Sequence, residues 1–356
     1  MTIRSIRRTA MLSIVGLLLA APTAMAGGEG WVHDNMDKAK ELARSEGKFI
    51  LMDFTGSDWC GWCIRLNDEV FSKDHFKTEA PKQFVLAEFD YPQKKAQTDE
   101  VKAANKKHQA TYAIGGFPTI ILADAEGKAF AQTGYRPDGP EKYMEHLNTL
   151  VSNRTKIVDL LKQATTLEGI EKAQVLDTAL SMENMIVHDA AKYEVMIIAA
   201  DADDAAGLKS KAAKRLFDLR MTAAQASDPA QAEVILNQLA TELPDLTEEQ
   251  RQQVDMTRVY IALGAEDADR AIAAASALAE DANRPADFRQ QAALMIAQAN
   301  VLKKDHEAAM RAIDRAIAID PDSQFGMMLS GQRDMISQQI QMQIDAMKSD
   351  SEKSDG

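Results

Sequence analysis

The sequence has few cysteines, no excess of positive charge and, after its first residues, no long apolar segment. Only two cysteines occur among 356 residues, which excludes a small scaffold held together by several disulfides. The net charge of −13 argues against a nucleic-acid partner, because phosphate binding requires clustered lysine and arginine. No segment beyond residue 26 is long and apolar enough to cross about 30 Å of hydrocarbon, so we expect no membrane span.

Residues 1–26 carry the features of a cleavable signal peptide. A basic start is followed by an apolar stretch that is too short to cross a bilayer. Ala24-Met25-Ala26 then supplies the small residues that a signal peptidase recognises. We therefore expect cleavage after Ala26 and a mature protein in the periplasm or outside the cell.

Residues 27–152 alternate helix and strand signals, and we interpret them as one domain. Asp34 is the expected N-cap of the first of four helices, which the periodicity predicts over 35–46, 60–70, 94–111 and 141–151. Strands are predicted over 49–54, 83–90, 119–123 and 129–133. A βαβ unit followed by a hairpin and a helix describes a mixed sheet covered on both faces. We also expect this domain to fold and act without the rest of the chain.

Residues 153–347 have a different character, because alanine is abundant and apolar residues recur at helical spacing. This pattern predicts an all-α array. Within it, 286–323 resembles a tetratricopeptide repeat, with matching small, apolar and proline residues at Ala293, Ile296, Ala297, Ala309, Ile313, Ala316 and Pro321. The segment 247–281 is a weaker second pair. Residues 348–356 form a short acidic tail that we predict to be disordered.

The helical array has two interpretations. Stacked helical repeats often form a concave surface, and such a surface could bind a protein ligand. The alternative is a helical bundle that only packs its own alanines.

The segment Trp59-Cys60-Gly61-Trp62-Cys63 is the main chemical signal. A disulfide between these cysteines closes a loop too short to stabilise the fold much, so reactivity explains the pair better. Exchange needs a thiolate, and a helix N-terminus at Cys60 should lower its pKa below the free value of about 8.5. Cys63, one turn further on, can then attack the mixed disulfide and release the substrate. Trp59 is expected to pack over the helix start, and Trp62 to be exposed to substrate.

A metal site is the alternative use for a pair of cysteines. Structural zinc takes four ligands, but the sequence has no second cysteine pair, and its six histidines are scattered without a paired spacing. The 18 methionines are more typical of core packing than of copper binding. We therefore expect no metal and no organic cofactor in the reaction.

Residues 31–151 resemble the thioredoxin superfamily, especially its exported members with a longer helical middle. The matching pieces are the cysteine segment, Leu51-Met52-Asp53-Phe54 and Gly115-Gly116-Phe117-Pro118-Thr119. The resemblance implies an α/β thioredoxin fold, a mixed sheet flanked by helices, ahead of the helical array. It also implies an exposed attacking thiol at Cys60, a buried resolving thiol at Cys63, and a cis peptide bond before Pro118.

Phe117 and Pro118 are candidate substrate-binding residues together with Trp62. A cis peptide bond would turn the backbone of Phe117 towards the sulfurs, where an extended substrate could pair with it as an added strand. An ordinary turn proline before Thr119 is the alternative.

Two carboxylates are candidate proton acceptors. The resemblance places a buried carboxylate where Asp53 stands, although the loop that follows is one residue longer than usual, and Asp58 is the competing position. Glu88 falls where many thioredoxins have a lysine. Two carboxylates there would repel each other and raise at least one pKa. In the alternative interpretation, Glu88 reaches solvent at a strand edge.

These features predict an exported thiol–disulfide oxidoreductase with the Cys60–Cys63 pair as its active site. Its expected partners are cysteine-containing exported proteins, a redox partner that recycles the pair, and a possible protein ligand on the helical domain. The rival interpretation is a binding scaffold whose helical array recruits partners while its thiols are incidental. The dipeptide between the cysteines leaves the direction of exchange open.

Overall fold

The structure is a computed structural model that describes residues 30–354, and the side chains of residues 30–348. The predicted signal peptide lies outside the described residues. The chain divides into two compact units. The first contains the described residues up to Asp159 together with Met182–His188, and the second contains Leu160–Ser181 and the residues from Asp189 onwards.

The first unit contains a five-stranded mixed sheet. Its strands are β1 (Trp31–His33), β2 (Phe49–Thr55), β3 (Phe84–Asp90), β4 (Thr119–Ala123) and β5 (Ala129–Thr133), in the order β1-β3-β2-β4-β5. β3 pairs in parallel with β1 and β2, and β4 is antiparallel to β2 and β5. The predicted mixed sheet is confirmed. β1 was not predicted, because three residues are too few to show an alternating pattern.

Helices cover both faces of this sheet: α1 (Met36–Glu46), α2 (Gly61–Leu66), α3 (Asp74–Glu79), α4 (Asp99–Thr111) and α5 (Gly139–Ala164). Side chains alternate along β2, so Leu51 packs with Leu66 and Leu147, while Ile50 packs with Ala39. Asp53 lies two residues after Leu51 on β2 and therefore points to the same face of the sheet. α5 runs beyond residue 151, where the sequence predicted its end, and contains the predicted boundary after residue 152.

The sequence predicted Asp34 as the N-cap of α1, and this prediction is wrong. Asn35 takes that place and accepts a hydrogen bond from the backbone amide of Lys38. Asp34 has a positive φ, and its carboxylate accepts hydrogen bonds from the backbone amide of Asp90 (3.0 Å) and the side chain of Asn105 (2.6 Å). It therefore ties β1 to the end of β3 instead of capping a helix.

A later segment of the chain covers the edge of β5. The amide of Gln132 donates to the carbonyl of Asn184, and the amide of Ile186 donates to the carbonyl of Phe130, both at 2.9 Å. The segment that provides these contacts, Met182–His188, belongs to the first unit. A fragment of residues 27–152 would lack this cover and leave strand hydrogen-bonding groups exposed. We therefore expect such a fragment to be less stable than the first unit of the whole chain.

The regular secondary structure in the described residues of the second unit is entirely helical. It contains the end of α5 and then α6 (Gly169–Leu180), α7 (Ala190–Ala200), α8 (Leu208–Ala226), α9 (Pro229–Glu242), α10 (Glu248–Gly264), α11 (Ala268–Glu280), α12 (Ala286–Leu302), α13 (His306–Ile319) and α14 (Gln324–Ser354). The predicted all-α array is confirmed. α12 and α13 form the pair that resembles a tetratricopeptide repeat, and their matching residues Ala293, Ala309 and Ala316 are buried.

α14 continues to Ser354, so residues 348–354 are helical where the sequence predicted a disordered tail. None of the helices between residues 30 and 354 is long and apolar enough to cross a membrane.

Removing one edge hydrogen bond tests the role of the covering segment. Ile186→Pro deletes the amide that donates to Phe130, so we expect the local opening free energy of β5 to fall by about 1–3 kcal/mol. The measurement is hydrogen exchange at the amide of Gln132, which should become faster. Val187→Pro is the matched control, because no hydrogen bond of the Val187 amide is found among the described residues. Equal exchange in both variants would show that the segment does not hold the edge.

Candidate active site

Cys60 and Cys63 are joined by a disulfide at the N-terminus of α2, with their Cα atoms 5.2 Å apart. Cys60 is the N-cap residue, and its sulfur accepts a hydrogen bond from the backbone amide of Cys63 at 3.2 Å. This amide and the helix dipole both favour negative charge on the Cys60 sulfur when the bond is reduced. Only 7% of Cys60 and 4% of Cys63 is exposed in the oxidised form, so Cys60 is less accessible than the resemblance implied.

Trp59 fixes the loop in front of the disulfide. Its indole N–H donates to the carbonyl of Tyr91 at 2.8 Å, and its ring packs edge-to-face on Phe117. The ring also lies on Gly56, where an added Cβ would come within 2.6 Å of it. Trp59 therefore packs over the helix start, as predicted, and Gly56 is needed because of this close approach.

The Phe117–Pro118 peptide bond is cis, as the resemblance implied. Phe117 contacts both Trp59 and Tyr91, with ring centroids 6.0 and 4.9 Å apart. These contacts place the proline turn beside the segment that carries the disulfide.

Asp58, the competing proton acceptor, binds a loop instead. Its carboxylate accepts hydrogen bonds from the backbone amides of Gln93, Lys94 and Lys95 at 2.8–2.9 Å. Desolvation opposes the charge of Asp58, but these three amides outweigh it and lower the pKa of the carboxyl group. The sequence predicted that α4 begins at residue 94, but it begins at Asp99, with Thr98 as its N-cap.

Asp53 and Glu88 lie side by side in the sheet. They are register partners on β2 and β3, and both are buried. Together with Cys63 and Asn67 they line a cavity of about 90 Å³. The longer loop after Asp53 has therefore not turned it away, and the two carboxylates predicted as a pair lie together on the cavity that Cys63 also lines.

Asp53 is electrostatically unusual. Its Oδ1 atom is buried without a hydrogen-bond partner among the described residues. Burial first, and then the negative charges of Glu88 and Asp90, raise the pKa of Asp53 well above its ordinary value. A carboxyl group with a raised pKa is a stronger base once ionised, and this suits it to accept a thiol proton near neutral pH.

His33 is a site residue that sequence reasoning missed. It is the register partner of Glu88 on β1, and its Nδ1 atom lies 3.2 Å from Oε1 of Glu88. The hydrogen bond to Glu88 raises the pKa of His33 against the opposing effect of desolvation. Only the pairing of β1 with β3 reveals this contact. The sequence showed His33 as one of six scattered histidines.

Trp62 is exposed beside the disulfide, with 56% of its surface accessible. Its ring centroid lies 5.1 Å from that of Tyr135, and the guanidinium of Arg65 lies 5.5 Å from the Trp62 ring. Glu69 accepts hydrogen bonds from both Arg65 (2.6 Å) and Tyr135 (2.7 Å). Trp62 is thus held by these contacts while more than half of its surface remains accessible. Arg65 and Tyr135 are supports that the sequence did not reveal.

Among the described residues, no group of three or more histidine, cysteine or acidic side chains is arranged to hold a metal ion. The strand order, the disulfide at a helix N-terminus and the cis-proline turn packed beside it define a protein-disulfide oxidoreductase of the thioredoxin fold.

Comparison with known proteins gives the same class. A family model described as a thioredoxin-like domain matches residues 36–149. The chain is 36% identical over 117 residues to the disulfide bond reductase DsbH of Chlamydia pneumoniae, a match that covers 33% of this chain and 70% of that protein. It is 24% identical over 136 residues to the thioredoxin-related protein DsbJ of the same organism, covering 36% of this chain and 39% of that protein. A solved DsbH oxidoreductase structure is 32% identical, with 37% of this chain and 92% of that chain covered and a TM-score of 0.33.

The chain belongs to the thioredoxin-like family. The family match of residues 36–149 lies inside the first unit, and the helical array lies outside it.

The raised pKa of Asp53 predicts a pH-dependent effect on stability. Because the folded protein holds this proton to higher pH than the unfolded chain, the stabilising contribution is present at low pH and is lost as pH rises through the folded value. Asp53→Asn removes the titrating group. The stability of this variant relative to wild type should therefore be greater at about pH 8 than at about pH 5.

The measurement is denaturant unfolding of the oxidised proteins, followed by tryptophan fluorescence, because all three tryptophans lie in the first unit. Asp58→Asn is the control, since Asp58 has a lowered pKa and its replacement should give no gain at the higher pH. A stability difference for Asp53→Asn that does not change with pH would contradict the assignment.

Proposed function

We propose that the protein exchanges disulfides with cysteine-containing exported proteins, with Cys60 as the attacking thiol and Cys63 as the resolving thiol. The observation that carries the proposal is the position of the disulfide. It lies between a helix N-terminus that favours a thiolate at Cys60 and a cavity that Cys63 shares with Asp53 and Glu88. The two sulfurs are thus in different environments, which suits them to different steps.

The reaction begins from the reduced pair. The Cys60 thiolate attacks one sulfur of the client disulfide, and the other client sulfur leaves as a thiolate and takes a proton from solvent. The Cys63 thiol then gives its proton to the Asp53 carboxylate across the cavity. The Cys63 thiolate attacks the Cys60 sulfur, the bond between Cys60 and the client breaks, and the second client sulfur leaves as a thiolate that takes a proton from solvent. The client gains two electrons and two protons, and the protein is left with the disulfide seen in the structure.

Client binding is assigned to the surface around the disulfide. Trp62 offers an exposed aromatic face, and the backbone of Phe117 before Pro118 is a candidate for strand-like pairing with an extended client segment. Because Cys60 is nearly covered, these contacts would have to present the client disulfide at a small opening.

The reductive direction is part of the proposal. It is supported by the 36% identity to a protein named as a disulfide bond reductase. Export is supported by the signal features of residues 1–26, with cleavage after Ala26, and places the clients in the periplasm or outside the cell. A redox partner must then return two electrons to the pair after each cycle.

The burial of Asp53 argues against incidental thiols. A buried carboxyl group without a hydrogen-bond partner costs stability, and such groups concentrate at functional sites. A protein that served only as a binding scaffold would not need a buried carboxyl group beneath its disulfide. We assign the array of α6 to α14 a supporting role as a surface for a protein ligand, on the basis of its repeat-like pair α12 and α13.

Trapping of mixed disulfides tests the roles of the two cysteines. Cys63→Ala can still attack a client but cannot release it, so this variant should accumulate covalent client complexes. Cys60→Ala leaves only the more deeply buried cysteine and should trap none. The measurement is non-reducing electrophoresis of each variant after incubation with a disulfide-containing protein. Equal trapping by the two variants would contradict the assignment of Cys60 as the attacking thiol and Cys63 as the resolving thiol.

A further inference from the structure

The cavity beneath Cys63 needs a route by which protons leave. During resolution the Cys63 proton moves to a buried carboxylate, and the next cycle requires that carboxylate to be ionised again. Asp53 is buried on β2, and its Oδ1 atom has no hydrogen-bond partner among the described residues. The other acidic group on the cavity is Glu88, which is also buried.

Among the residues that the structure describes, the side chain of His33 connects Glu88 to the protein surface. Glu88 lies 3.2 Å from Nδ1 of His33, whose side chain is 20% exposed. The register of the sheet sets Asp53, Glu88 and His33 in one row across β2, β3 and β1. Because register partners in adjacent strands point to the same face, this row leads from the cavity to the protein surface.

The cavity that both carboxylates line is large enough for proton transfer through water. A water molecule needs roughly 10–15 Å³ of accessible space, and the cavity measures about 90 Å³. Its lining also includes Thr55, Ser57 and Asn67, which can hydrogen-bond water.

Other charged side chains lie near this row. His33 also faces Asp34 and Asp90, and both favour its protonated form. Asp34 is bound by Asn105 and Gln97, and Asp90 by the amide and hydroxyl groups of Ser57. Lys95 donates to the Ser57 hydroxyl at 2.9 Å. Among these groups, His33 is the one that both touches Glu88 and changes charge near neutral pH.

We propose that His33 and Glu88 form the proton path between the Asp53–Cys63 cavity and solvent. The proton that leaves the Cys63 sulfur passes to Asp53, across the cavity to Glu88, then to Nδ1 of His33, and a proton leaves the imidazole for solvent. One proton enters the row and one leaves it, so the row returns to its starting charge. No electrons move along it. His33 acts through Glu88 and is a positioning residue, not a catalytic one. This proposal rests on the proposed function.

The experiment separates attack from resolution with an aromatic disulfide, 5,5′-dithiobis(2-nitrobenzoate), added to the reduced full-length protein. Attack by Cys60 releases the first coloured thiolate at a rate that depends on reagent concentration. Resolution by Cys63 releases the second coloured thiolate at a rate that is independent of reagent concentration. Both rates are measured by stopped flow across pH.

His33→Gln keeps a polar side chain but cannot carry a proton. General acid–base assistance is worth about 10²–10⁴ in rate, and because Asp53 remains in place we expect a smaller loss of roughly tenfold in resolution near neutral pH. The pH dependence contributed by His33 should disappear, and added imidazole should restore part of the rate because His33 is partly exposed. The rate of attack should be unchanged. Glu88→Gln should slow the same step, and imidazole should not restore it.

His108→Gln is the matched control, because His108 is a half-buried histidine of the same unit that packs on Phe89. It should leave both rates as in wild type. A wild-type resolution profile in His33→Gln would overturn the proposal and leave the proposed function standing. Equal slowing of attack and resolution, or no recovery with imidazole, would show a structural role and also overturn it. Failure of the wild-type protein to release either thiolate would instead contradict the proposed function itself.

Discussion

The parallel pairing of β2 with β3 is the constraint on which the rest of the site depends. Its register sets Asp53 directly beside Glu88 on the face that α2 covers. Burial of Asp53 raises its pKa most, and the negative charge of Glu88 raises it further, because two acidic groups side by side in the interior disfavour double ionisation. A shift of one residue in this register would turn one carboxylate to the opposite face and remove the pair.

The disulfide is held in position by contacts that converge on the end of β3. Asp90 binds Ser57, and Tyr91 accepts the indole N–H of Trp59, so the loop before Cys60 is tied to the same strand that carries Glu88. The geometry of the thiols and that of the carboxylates therefore depend on one strand. This explains how a loop one residue longer than usual still leaves Asp53 beneath Cys63.

Much of this site could be predicted from the sequence, and the features that the predictions missed were missed for physical reasons. The bounds of β4 and β5 were predicted correctly, because compact apolar segments between turn residues mark strands well. The acid pair was predicted from the resemblance to thioredoxins, which places a buried carboxylate where Asp53 stands and a side chain facing it where Glu88 stands. His33 was missed because its strand is three residues long and its contact with Glu88 exists only through strand pairing. The segment that covers β5 was missed because it is distant in sequence.

Reduction of insulin by the full-length protein, with dithiothreitol as electron source, tests the central claim most directly. The account predicts that wild type accelerates precipitation of the insulin B chain, and that Cys60→Ala gives only the rate of dithiothreitol alone. A wild-type rate equal to that blank would contradict the account, because a thiolate at a helix N-terminus above a buried base would then fail to exchange with a protein disulfide.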